Sequence, residues 1–101
     1  MKRAFVLAAL SFGAAAPALA DLALAASKNC MSCHAVERKV LGPSFKDVAA
    51  RYKDNKDAAS MLASKIMKGG AGVWGPVPMP ANNQVSEADA KKLAAWVLST
   101  K

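Results

Sequence analysis

Cys30-Met31-Ser32-Cys33-His34 gathers the only two cysteines and the only histidine of a 101-residue chain into one pentapeptide. On a helix, residues three and four apart share a face, so both sulfurs and the imidazole would project together. Cys-x-x-Cys-His is the attachment signature of c-type haem. Two thioether bonds anchor the porphyrin edge, and the adjacent imidazole can reach the iron from that side. Other readings of the same residues fare worse. A Cys30–Cys33 disulfide of the thioredoxin kind belongs on a βαβ scaffold, and this chain shows no strand pattern. A tetrahedral zinc site needs about four ligands, and no further cysteine or histidine exists to complete it.

Upstream of the pentapeptide, Leu22-Ala23-Leu24-Ala25-Ala26 is a helix-forming run that leads directly into Cys30. Before it stand a basic start at Lys2 and Arg3, an apolar stretch from Ala4 to Phe12, and Ala18-Leu19-Ala20. That order is a secretory leader, residues 1–20, with cleavage expected before Asp21. A membrane anchor is the rival, but the uncharged run is short and rich in alanine, whereas spanning a bilayer takes roughly 20 strongly apolar residues. Residues 21–101 then form one exported domain without stable membrane insertion. Such a short chain buries little apolar surface and usually needs a cofactor or staple in its core. The leader holds two of the fourteen basic residues and none of the seven acidic ones, leaving twelve against seven, a net +5. Two ionised propionates would lower this to about +3. A basic exported chain suits an acidic partner, and nucleic acid is excluded by location.

Downstream, every periodic segment is helical, which makes the fold all-α. Ser44 caps a helix carrying Phe45, Val48, Ala49 and Tyr52 on one face. A third helix is expected from near Asp57 to Lys68, with Ala58, Leu62 and Ile66 aligned and Gly69-Gly70 stopping it. From Gly69 to Gln84 glycine and proline are too dense for any regular element. Ser86 caps the last helix, where Ala90, Leu93, Ala94 and Val97 follow helical spacing.

The second axial ligand must come from this remainder. His34 is the sole histidine, so bis-histidine ligation within one chain is impossible. Lysine ligates only when deprotonated, against an ordinary pKa of about 10.4. Among the methionines, Met31 is tethered between the cysteines, and Met61 and Met67 lie on a helix with a packing use. Met79 stands apart in Gly75-Pro76-Val77-Pro78-Met79-Pro80, where prolines restrict φ and hold the backbone stiff.

The chain as a whole resembles the small bacterial class I monohaem cytochromes c of the c-551 type. The resemblance rests on Cys30–His34, Leu41-Gly42-Pro43, Lys46-Asp47-Val48-Ala49, Gly72–Pro80 and Trp96-Val97-Leu98-Ser99, and it covers residues 21–101. It implies about four helices wrapped around one covalent haem c. It further implies that Pro43 accepts, through its carbonyl, the hydrogen bond from the far nitrogen of His34, and that Trp74 and Lys65 meet a haem propionate. Asn82, with Asn83 the alternative, would donate to the Met79 sulfur. Relatives often carry glycine where this chain has Asn29, which lets the first and last helices cross closely. Trp96 is expected to pack in the core.

The function so implied is single-electron transfer in the periplasm by a monomer, between a quinol-oxidising membrane complex and a nitrite reductase or terminal oxidase. A His34/Met79 pair would fill both axial sites and leave none for substrate, which argues for a carrier and against an enzyme. Lys28, Lys39, Lys46 and Lys68 are candidates to rim the haem edge.

Overall fold

A computed structural model describes the backbone of residues 15–101 and the side chains from Asp21 onward. Most of the expected leader lies outside the described residues, and the expected processing point falls within the first helix. That helix, α1, spans Ala15–Ser27; α2 spans Phe45–Tyr52, α3 Ala58–Lys68 and α4 Glu87–Ser99. No β-strand occurs among the described residues.

The helix ends obey local chemistry. Ser44 and Ser86 adopt extended backbone and accept from the amides of Asp47 and Asp89, at 3.0 and 3.1 Å. Each bond satisfies an amide that the first helical turn leaves unpaired. At the other end of α3, Gly69 turns to φ 76° and its amide returns to the Lys65 carbonyl at 2.8 Å.

The pentapeptide departs from expectation. Instead of continuing a regular helix, the chain leaves α1 at Ser27, takes a left-handed step at Asn29 (φ 64°, ψ 16°), and forms one 3-10 turn over Cys30–Ser32. Asparagine is among the few non-glycine residues that tolerate this region. The turn still brings His34 back, since its amide donates to the Cys30 carbonyl at 3.0 Å. Asn29→Ala should therefore lower holoprotein stability in denaturant titration by about 1 kcal/mol, while Asn29→Gly should be close to neutral.

Helix α4 is the centre of the packing, contacting α1, α2 and α3. Ala25 of α1 and Ala90 and Ala94 of α4 are fully buried in one cluster with Leu93, so small side chains let the first and last helices approach with asparagine rather than glycine at position 29. Trp96 is buried and meets the Phe45 ring edge-on at 5.3 Å, the expected core role.

Candidate haem site

A cavity of about 520 Å³ opens between α3, α4, the pentapeptide and the loop after α3. Its size falls within the ~300–1,000 Å³ usual for cofactor pockets. Cys30, Cys33 and His34 lie on its wall together with Pro43, Lys65, Trp74, Met79 and Asn82. These eight residues, singled out from the sequence to hold the haem, thus line a single space, which Asn83 does not reach.

The His34 side is fixed from behind. Its Nδ1 lies 2.8 Å from the Pro43 carbonyl oxygen. A carbonyl can only accept, so Nδ1 carries the proton and Nε2 keeps a free lone pair suited to a metal. The ring stacks on Phe45 at 5.1 Å and lies so close to Gly42 that a Cβ there would fall 2.4 Å from its Cε1. Gly42 is needed for this close approach, a role its sequence neighbours alone do not reveal.

Both thiols are free. Burial pushes the Cys30 thiol up, a backbone hydrogen bond pulling the other way less strongly. Thioredoxin-like enzymes need the opposite, an attacking cysteine lowered toward the thiolate.

Met79 is the only methionine on the cavity wall among the described residues; Met31 and Met67 pack against the core instead. Its backbone is clamped to Gly70 by two hydrogen bonds, Met79 N to Gly70 O at 2.7 Å and Gly70 N to Met79 O at 3.0 Å. A Cβ on Gly69 would meet the Met79 carbonyl at 2.4 Å, so the Gly69-Gly70 pair both ends α3 and admits the methionine loop. Asn82 follows that loop. Its amide and its Nδ2 both donate to the Ile66 carbonyl, at 3.2 and 2.8 Å, with a longer Nδ2 contact of 3.5 Å to Pro80. These bonds tie the Met79 loop to the last turn of α3, and Asn82 makes no hydrogen bond to sulfur.

The lining is otherwise apolar. Leu62 and Ile66 of α3 face Leu93, Trp96 and Val97 of α4 across it, while Leu41 and Val77, each 60% exposed, stand with Val73 and Trp74 at the mouth. Apolar groups of this size are seldom left in water as a cluster. A flat apolar macrocycle would cover them, and the Lys65 ammonium and Trp74 indole N–H suit its carboxylates. The residues present therefore fit haem. Of the lysines proposed for the rim, none lines the cavity; Lys46 pairs with Glu37 at 2.9 Å, which holds that carboxyl below its ordinary range.

Paired cysteines, a metal-ready imidazole and one methionine on a single apolar cavity define a protein that binds one c-type haem. Residues 22–101 match the family model for cytochrome c, and the chain belongs to the cytochrome c family as a small class I monohaem member. It is similar to cytochrome c-552 of Nitrosomonas europaea, 57% identical over 83% of this chain and 82% of the relative. Cytochrome c-552 of Hydrogenobacter thermophilus is 52% identical over 88% of this chain and 90% of that protein. The crystal structure of wild-type Nitrosomonas europaea cytochrome c552 superposes with a TM-score of 0.78, at 56% identity, over 79% of this chain and 99% of that one. The protein accordingly carries one covalent c-type haem and acts as an electron carrier, which implies redox partners. No helix among the described residues is long and apolar enough to cross a membrane.

Proposed function

We propose that this chain is exported by cleavage before Asp21 and works as a periplasmic single-electron carrier. Cys30 and Cys33 would hold the haem by thioether bonds, and His34 and Met79 would ligate its iron. The haem supplies one-electron redox chemistry at its iron.

One observation carries the reading: His34 and Met79 line the same cavity and each is held from behind by the backbone, His34 through Pro43 and Met79 through Gly70. Two prearranged ligands leave no position for a substrate, and little nuclear rearrangement accompanies electron gain or loss. Methionine favours the ferrous state and raises the reduction potential. Leu62, Ile66, Leu93 and Val97 keep water from the ring faces, which acts in the same direction. Lys65 and Trp74 would hold a propionate. Asn82 would position the Met79 loop through the Ile66 carbonyl, and donating to the sulfur would require its side chain to reorient. The electron donor is a quinol-oxidising membrane complex, and the acceptor a nitrite reductase or terminal oxidase.

Intact-mass spectrometry of the periplasmic protein under denaturing conditions tests the attachment and export together. The expected mass is that of residues 21–101 plus one haem, unchanged by acid–organic extraction. Haem released by extraction, or a Cys30–Cys33 disulfide in its place, would refute the thioether assignment.

A further inference from the structure

We infer that Arg51 is a positioning residue for Trp74, clamping the indole at the cavity mouth and placing an uncompensated positive charge beside the propionate end of the haem. The inference rests on the proposed reading of Trp74 as a propionate partner.

Arg51 lies in the last turn of α2, and its guanidinium carbon sits 4.9 Å from the centroid of the Trp74 ring. A planar cation over the negative face of an indole is the favourable arrangement, and arginine stacks there better than lysine. Among the described residues no carboxylate lies within ion-pair distance of Arg51, and its guanidinium donates no hydrogen bond. Aromatic faces are thus its partners, the Trp74 ring at 4.9 Å and, farther off, the neighbouring Tyr52 ring at 5.9 Å, and its charge is not neutralised.

Trp74 has need of such a clamp. Its loop turns on Gly72 and Gly75, with φ of 91° and 117°, and neither has any neighbour within 4 Å of a would-be Cβ. The only backbone hydrogen bond within 71–78 joins Gly72 N to Gly75 O at 3.2 Å. Trp74 is 39% exposed, and its indole N–H has no acceptor among the described residues. Backbone restraint alone leaves the indole free to swing. With Arg51 across one part of the ring and the cavity beside the other, the N–H is held where a carboxylate can accept from it. Lys65, on the same cavity wall, adds a second donor of like sign. Positive charge at this edge stabilises the haem after it has gained an electron.

The test uses the holoprotein and two readouts: the reduction potential, and the exchange rate of the Trp74 indole N–H by proton NMR. Arg51→Gln removes charge and stacking. It should lower the ratio of reduced to oxidised protein at fixed potential two- to threefold, a fall of about 18–28 mV at 59 mV per tenfold for one electron, and should speed indole exchange at least threefold. Arg51→Lys keeps the charge, so it should restore most of the potential but not the slow exchange. If Arg51→Gln leaves both readouts unchanged, or if Arg51→Lys restores both fully, the positioning role is wrong. Trp74→Phe separates the underlying reading, since it keeps a ring to stack on and deletes the N–H. A potential unmoved by Trp74→Phe would overturn the propionate role of Trp74 and the inference with it; a shift there with none in Arg51→Gln would overturn the inference alone.

Discussion

Replacing Met79 by alanine will open the iron to cyanide and carbon monoxide, which bind sluggishly to the parent and rapidly to the variant. No other methionine among the described residues lines the cavity, so none of them stands ready to take the vacated position. The Gly70–Met79 backbone bonds do not involve the side chain and persist in alanine, so the loop keeps its place while the sulfur is lost. The potential should fall by about 120 mV or more, a hundredfold change in the redox ratio at 59 mV per tenfold. The sulfur-to-ferric-iron absorption band should vanish. Met67→Ala and Met61→Ala, which both shorten half-buried side chains, should keep the band and instead cost stability, by about 2 kcal/mol, the lower end for a core methionine. A Met79→Ala protein that retained both band and potential would place the ligand elsewhere.

The haemless chain should have no cooperative tertiary fold. Phe45, Val48, Leu93, Trp96 and Val97 belong both to the core cluster and to the cavity wall, so the cofactor is the other half of their packing. At roughly 24 cal/mol per Å³, a rigid empty space of 520 Å³ would cost on the order of 12 kcal/mol, comparable with the ~5–15 kcal/mol that holds a whole domain together. That figure is a ceiling, because the mouth admits water. The same loss would remove the proposed iron bridge between the His34 turn and the Met79 loop, which would tie distant segments of the chain. Material expressed without haem maturation should retain part of its helical circular dichroism and melt without a sigmoidal transition. A cooperative melt would show that the polypeptide core suffices.

The helices were legible because their signals are local. Ser44 and Ser86 sit three residues before the amides they cap, Gly69 sits at the end it terminates, and the faces of α3 and α4 repeat within a few turns. The motif gave the haem wall for the same reason, its three chemical groups being adjacent. Geometry set by long-range contact was not legible. Nothing near Asn29 in sequence fixes the sign of its φ, and the extended helix expected there gave way to a left-handed step and a 3-10 turn. Gly42 could be quoted as part of a pattern, but its purpose depends on the His34 ring arriving above it. Gly69-Gly70 could be read as a helix stop; that it also pairs with Met79 is a tertiary fact. Asn82 shows the limit most clearly, since a terminal amide can serve a sulfur or a carbonyl and only the fold places the Ile66 carbonyl within its reach.

The most direct test of a His34/Met79 haem is the proton NMR spectrum of the ferrous holoprotein, in which a methyl group lying over the porphyrin face is displaced far upfield by the ring current. Residues 21–101 contain four methionines, Met31, Met61, Met67 and Met79. One three-proton methionine signal should stand far upfield of all others and assign to Met79, with the remaining three in the ordinary aliphatic range. A spectrum in which all four methyl groups resonate in that ordinary range, or in which the displaced signal assigns to another methionine, would contradict the axial pair on which the carrier function rests.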